Sequence, residues 1–195
     1  MDFLDLSLPD AKTVIINFPG RPITHEIEPH SHVWFHDKYR TVGNQLNQWW
    51  VGFIGCQQKY HNHEIQPHTE QCLQTLADRI RDKMVIIMAS SAGAGGVLAS
   101  PIARRTATGM ILLNANPFNV WREIVEADLA DVLWWIDFYN GFEDYAWHAK
   151  WAEEIAKEEH RWERNHERIE GQHMLTAQQV LHGVRTSLCR RNIIE

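Results

Sequence analysis

Five short apolar runs, separated by amphipathic or polar stretches, limit what this chain can fold into more than any other feature. They are "KTVIINF" (12–18), "WWVGFIG" (49–55), "MVIIMA" (84–89), "GMILLNANP" (109–117) and "DVLWWIDFY" (131–139). None alternates apolar with polar residues, so each reads as a strand covered on both faces. Between them lie helical patterns. "PHTEQCLQTLADRIRDK" (67–83) has Thr69 as an expected N-cap and places Cys72, Leu73, Leu76, Ala77 and Ile80 on one face. A small-residue helix is expected from about 92 until Pro101 or shortly after, a short one in "NVWREIVEADLA", and a long one over roughly 145–163, with Trp147, Trp151 and Ile155 four apart. "HERIEG" (166–171) reads as a last short strand, and Thr176 with Gln179 forms a capping-box pattern for a closing helix whose apolar side is Val180, Leu181, Val184 and Leu188. Strands alternating with helices predict an α/β fold with a mostly parallel central sheet and helices on both faces. Residues 21–45 are rich in His and Pro and are expected to be irregular at first, with a helix around 37–48.

At 195 residues and 44% hydrophobic, the chain suffices for one domain with a full core, and no linker or repeat divides 1–195. No apolar run approaches the ~20 residues of a membrane span. The start "MDFLDLSLPD" is acidic where an export signal would be basic and then apolar, so a cytoplasmic protein is expected. Cys56, Cys72 and Cys189 are too few and too far apart for a disulfide framework, which fits reduced thiols. A formal charge of −6 argues against a nucleic-acid partner, because phosphate binding needs a basic surface.

The third run leaves through "MVIIMASSAGAGG". In a parallel sheet, ligands gather beyond the carboxyl ends of strands, and this segment is such an exit. Ala89-Ser90-Ser91-Ala92-Gly93 matches G-x-S-x-G with Ala for the first Gly. A serine on a strained strand-to-helix turn needs small residues two before and two after it, which centres the motif on Ser91. Phosphate-loop and dinucleotide readings are weaker: no Lys follows at Walker-A spacing and no G-x-G-x-x-G occurs. A serine nucleophile needs a base, and the base needs a carboxylate to hold it. Asp144 follows the fifth run in "NGFEDY", and His173 lies in "EGQHML" before the closing helix. Asp137 is the rival acid, and His160, His166 and His182 are rival bases.

In these motifs and their order Ser…Asp…His, the chain resembles the α/β-hydrolase family from about Lys12 to its C-terminus. "IIMASSAGAGG" looks like the family's nucleophile elbow, Gly141 to Asp144 like its G-x-x-D, and "GQH" like its G-x-H loop. The resemblance implies Ser91 as nucleophile, His173 as base and Asp144 as acid. It implies an oxyanion hole made by the Ala92 N–H and a donor from the loop after the first family strand, here "NFPGRP", with Arg21 favoured and then Gly20, since Pro19 has no N–H. Only about thirteen residues separate the fourth and fifth runs, which leaves no room for a cap domain. The implied activity is a serine hydrolase acting on a small-molecule ester or thioester (an amide is also open), with no cofactor.

Two other readings stay open. A hydrolase-like fold that binds without catalysis is motivated by the atypical oxyanion loop. A His-ligated metal protein is motivated by "HSH" (His30, His32) with His36 and "HNH" (His61, His63) with His68, since alternating His on a strand share a face. Polar loop histidines near the mouth of the site are the simpler reading, and no metal is assigned. Trp34 and Trp121 are candidates to line a substrate pocket. The Trp pairs at 49–50 and 134–135 belong to strands, where core packing is expected.

Overall fold

The computed structural model describes residues 3–8, 10–20, 30–46, 48–53, 62–115, 135–157 and 163–194; within these, the side chains of residues 3, 30–36 and 62–66 are left undescribed. Seven strands form one sheet: β1 (Phe3–Leu6), β2 (Thr13–Phe18), β3 (Trp49–Phe53), β4 (Met84–Ser90), β5 (Gly109–Leu113), β6 (Trp135–Glu143) and β7 (Glu163–Gln172). Their order is β1-β3-β2-β4-β5-β6-β7. All neighbours pair in parallel except β1 with β3. Helices α1 (His30–Leu46), α2 (Asn62–Ile80), α3 (Ala92–Ala99), α4 (Pro101–Thr106), α5 (Ala146–Lys157) and α6 (Ala177–Arg190) make up the rest of the described structure.

The unbroken apolar runs have a direct structural cause. Val14, Ile16 and Phe18 of β2, Val85 and Ile87 of β4, and Met110 and Leu112 of β5 enter a core closed by α2, α3, α4 and α5. The residues between them (Ile15, Ile86, Met88, Ile111 and Leu113) enter a second core under α1 and α6. The first Trp pair divides the same way: Trp49 packs into one layer and Trp50 into the other. Each of these inner strands therefore feeds two cores, and a polar position on either face is buried and needs a partner inside the protein.

The outer strands look different in sequence because each has an open edge. β1 is four residues long and was not expected from the sequence. Its Asp5 accepts hydrogen bonds from the Trp49 indole at 2.8 Å and from Arg79 at 2.6 Å, which tie β1 to β3 and α2. β7 is charged and mostly half-exposed, the usual way to blunt a sheet edge. It begins at Glu163, so the helix expected over 145–163 cannot reach that far; α5 is described to Lys157. Of the three residues spaced four apart, Trp147 is exposed and Ile155 is buried, and Ala149 and Ala152 are buried beside Ile155.

Other expectations are corrected by helix ends. α2 begins at Asn62 and carries Pro67 within it, so Thr69 is a fully buried interior residue and no N-cap. Cys72, Leu73, Leu76 and Ile80 face the core as expected, but Ala77 is exposed. The single helix expected from 92 is two. Ser100 takes an extended backbone before Pro101, ends α3, and caps α4 by accepting the Ala103 N–H at 3.0 Å. The capping box of α6 is present in both directions between Thr176 and Gln179. α1 starts at His30, seven residues before the expected helix, so His30, His32 and His36 lie on a helix backbone. A helix does not bring residues two apart to one face, which removes the strand-like ligand arrangement. His68 is no loop histidine either: it is buried on α2, with Nε2 3.2 Å from the Cys72 sulfur.

The small residues after β4 are explained by close approach. A Cβ on Gly93 would stand 2.3 Å from the Phe18 carbonyl oxygen and 2.7 Å from that of Pro19. Both contacts are backbone, so neither can swing aside. Gly93→Ala is therefore expected to cost about 2–3 kcal/mol by forcing β2 and α3 apart. For a chain of this size that is a fall of about 5–10 °C in Tm, readable by thermal unfolding.

Candidate active site

Ser91 sits where β4 gives way to α3, at the carboxyl edge of the sheet. Its backbone has φ 47° and ψ −119°, a region that non-glycine residues rarely occupy and that stores strain. The turn is held by the Ser91 N–H, which donates to the Leu113 carbonyl at 3.0 Å, and by the Ala94 N–H, which donates back to the Ser91 carbonyl at 3.1 Å. A serine at a helix N-cap ordinarily accepts a hydrogen bond from the first turn with its hydroxyl. Here it makes no such cap bond, and Oγ lies 2.9 Å from His173 Nε2.

His173 directly follows β7 and precedes the capped start of α6, so both flanks of its loop are anchored. Asn114, just beyond β5, adds a third anchor. Its side-chain amide donates to the carbonyls of Gln172 at 3.0 Å and His173 at 2.7 Å, while its oxygen accepts the Gly141 N–H at 2.8 Å. The approach of β6 to this loop is so close that a Cβ on Gly141 would stand 2.3 Å from the Gly171 carbonyl.

Asp144 follows β6 at once and is buried. Its Oδ1 accepts from His173 Nδ1 at 2.7 Å, from the Tyr145 N–H at 2.8 Å and from His148 Nδ1 at 3.3 Å, and its Oδ2 accepts from Asn140 at 2.8 Å. Burial alone would raise this carboxyl, but the bonds from His148, His173 and Asn140 outweigh it and hold Asp144 well below the usual carboxylate range. An ionised Asp144 only accepts, so Nδ1 of His173 carries the proton and Nε2 presents its lone pair to the Ser91 hydroxyl. A serine hydroxyl thus faces a basic nitrogen held by a buried carboxylate, an arrangement able to make the hydroxyl a nucleophile.

The cleft over Ser91 is lined by Gly20, Lys38, Asn114, His173, Met174 and Val180, among others. Gly20 stands against the turn, where a Cβ would be 2.8 Å from Ser91 Cβ. Ala92 opens α3, so its N–H is among the donors a helix start leaves without an intrahelical partner. Lys38 donates to the Leu175 carbonyl, and burial pushes its ammonium down to about 8. Tyr145, Trp147 and Met174 are exposed, and the Tyr145 ring lies 4.9 Å from that of His173.

Arg21 and Trp121 lie outside the described residues, as do His61, His160 and Cys56; Trp34 lies on α1 with its side chain undescribed. The rival acid Asp137 is buried in β6 and paired with Arg191 at 2.7 Å and with Asn165 at 2.9 Å, remote in bonding from Ser91. Among the rival bases, His166 is turned to Asn140 at 3.2 Å and His182 is exposed on α6 near Glu167. Asn114, Asn140 and His148 were not singled out by sequence reasoning. Asn114 left a faint signal, an Asn directly after an apolar run, where a left-handed backbone is tolerated; its φ is 45°. One ligand atom each of Asp144, His148 and His173 lie within 4.8 Å of one another. Each facing nitrogen is engaged by the carboxylate in a hydrogen bond, so the group is an acid–base network and no metal centre is assigned.

Solved structures share this arrangement of strands and helices. A serine hydrolase without a lid from Xanthomonas campestris superposes with a TM-score of 0.64 at 15% identity, over 95% of this chain and 86% of its own. This is the α/β-hydrolase fold. A protein of unknown function from Agrobacterium tumefaciens, provisionally classed as an α/β hydrolase, gives 0.67 at 14% identity over 97% and 90% of the two chains. The fluorophosphonate-binding serine hydrolase F of Staphylococcus aureus gives 0.56 at 9% identity over 94% and 84%. No protein-family model and no curated protein sequence matches the chain. In this sheet β4 leads into the turn at Ser91, and β6 and β7 lead to Asp144 and His173. No described helix is long and apolar enough to cross a membrane.

Proposed function

We propose that this protein is a serine hydrolase that cleaves a small-molecule ester or thioester through an acyl-enzyme. The observation that carries the reading is the Ser91 hydroxyl, which forgoes the cap bond of its own helix and lies 2.9 Å from His173 Nε2 on a strained turn. Ser91 Oγ attacks the substrate carbonyl carbon as Nε2 takes its proton, and Asp144 stabilises the resulting imidazolium. The carbonyl π electrons move to oxygen, and the oxyanion is held by the Ala92 N–H with a second donor from Gly20 or Arg21; each such donor is worth about 3 kcal/mol. The imidazolium returns its proton to the departing alkoxide or thiolate as that bond breaks. Water, deprotonated by the same nitrogen, then attacks the acyl-enzyme and releases a carboxylic acid and free Ser91. These steps use only these groups and water. The lid-less relative and the fluorophosphonate-binding relative support the same class, and Trp34 and Trp121 remain candidates to contact the acyl or leaving group.

Labelling with a fluorophosphonate probe tests this. Intact mass is expected to rise by a single adduct, and peptide mapping to locate it on Ser91. A folded protein that takes no adduct would overturn the reading in favour of a binding protein that keeps the fold without the activity.

A further inference from the structure

Asp144 serves two imidazoles, and a triad needs only one. His148 lies in the first turn of α5, is 1% exposed, and directs Nδ1 at the same Oδ1 that holds His173. Because the carboxylate only accepts, His148 must carry its proton on Nδ1, which leaves the Nε2 lone pair facing inward. That atom is buried and has no hydrogen-bond partner among the described residues. A buried polar atom left so costs on the order of 1–3 kcal/mol, and a histidine kept only for packing could be replaced by an apolar ring without that cost. The ring also lies against its neighbours, with centroids 3.9 Å from Trp147 and 5.2 Å from Tyr145 and from His173.

We propose that His148 is a positioning residue that sets the basicity of His173 by sharing Asp144 Oδ1 with it. This rests on the serine-hydrolase reading above. A neutral N–H donated to Oδ1 withdraws part of the negative charge that would otherwise act on His173 alone. The Nε2 lone pair of His173 is then kept available to the Ser91 hydroxyl. Other titratable groups around the pair act from further off. His166 of β7 reaches Asp144 only through Asn140, and Arg168 of β7 is bonded to the carbonyls of Gly141 and Phe142. Glu153 and Lys157 of α5 pair with each other on its exposed side, and Lys38 of α1 binds the Leu175 carbonyl.

The test is the pH dependence of the fluorophosphonate labelling rate in wild type, His148→Phe and His148→Asn. Asn places an amide N–H near the position of Nδ1, whereas Phe keeps the ring shape without a donor. Loss of the donor strengthens the pull of Asp144 on His173, so in His148→Phe the acid limb moves to higher pH by about half a unit or more, a threefold change in proton affinity. His148→Asn is expected to restore the limb to the wild-type position. A limb that stays put in His148→Phe, with only stability or plateau rate lowered, would show that His148 merely packs. Imidazole ¹⁵N NMR of the wild type covers the case in which His148→Phe does not fold: the Nδ1–H tautomer is expected at neutral pH, and an Nε2–H tautomer overturns the proposal. A wild type that takes no label removes the parent reading as well, so the two failures are distinguishable.

Discussion

Ser91→Ala is expected to lower the hydrolysis rate of an activated ester such as p-nitrophenyl acetate by about 10⁴-fold or more, because it removes the hydroxyl that lies 2.9 Å from His173 Nε2. The same substitution should leave Tm nearly unchanged. A serine that caps a helix usually costs about 1 kcal/mol when replaced by alanine. Ser91 makes no cap bond, so there is none to lose, and the turn is held by backbone groups that alanine retains. The pairing of a large rate loss with a small stability change is the signature of an activated nucleophile. A Tm fall of several degrees with the rate little altered would mean that Ser91 serves the turn and not the chemistry. Ester hydrolysis followed by absorbance, with thermal unfolding of the same preparations, gives both readings.

The two aspartates of β6 and its exit should separate in the opposite way. Asp144→Asn is expected to cut the rate by about 10⁴-fold. An amide at that position can donate to Nδ1 of His173, which fixes the wrong tautomer and places a proton on the nitrogen that must accept one from Ser91. Asp144 also links stability to pH. Its carboxyl lies below its unfolded value, so the charged form stabilises the fold at any pH above the usual carboxylate range, and that contribution is lost as pH falls through and below it. Asp144→Asn should remove this part of the acid sensitivity. Asp137→Asn should instead cost about 3 kcal/mol of stability and leave the rate per folded molecule within about twofold, because it breaks a buried ion pair far from the serine. Asp137 is 1% exposed in its side chain and meets Arg191 at 2.7 and 2.9 Å, with the guanidinium lying 4.0 Å from the Trp135 ring. Activity and unfolding measured on both variants decide between the two acids. If Asp137→Asn lost the rate and Asp144→Asn kept it, the acid would have been assigned to the wrong residue.

The interior of the sheet was legible in the sequence because a strand covered on both faces can carry few polar positions. β2, β4 and β5 therefore announce themselves as unbroken apolar runs, and their order with the helices leaves little besides a parallel sheet. The edges were less legible for the same reason. β1 is too short to show a pattern; β7 was read as a strand only over 166–171, because it is charged where half of it meets water and its first residues read as the continuation of a helix. The tight turn at Ser91 was legible because such a turn tolerates only small neighbours, and the clash of a Gly93 Cβ with the Phe18 carbonyl shows the contact that enforces this.

What tertiary structure alone decided is which polar groups meet. Asp144 and His173 are 29 residues apart and Ser91 is 82 from His173, and the parallel crossovers bring their loops to one edge. Asn114, Asn140 and His148 acquire their roles only there, since an Asn or His in isolation carries no mark of the partner it will hold. The first turns of α1 were likewise hidden: a helix was expected only around 37–48, and "HSHVWFH" carries no helical periodicity that would extend it back to His30. Apolar spacing along the chain determined the layers of this protein. The hydrogen-bonded site was determined by distances across it, which local sequence does not encode.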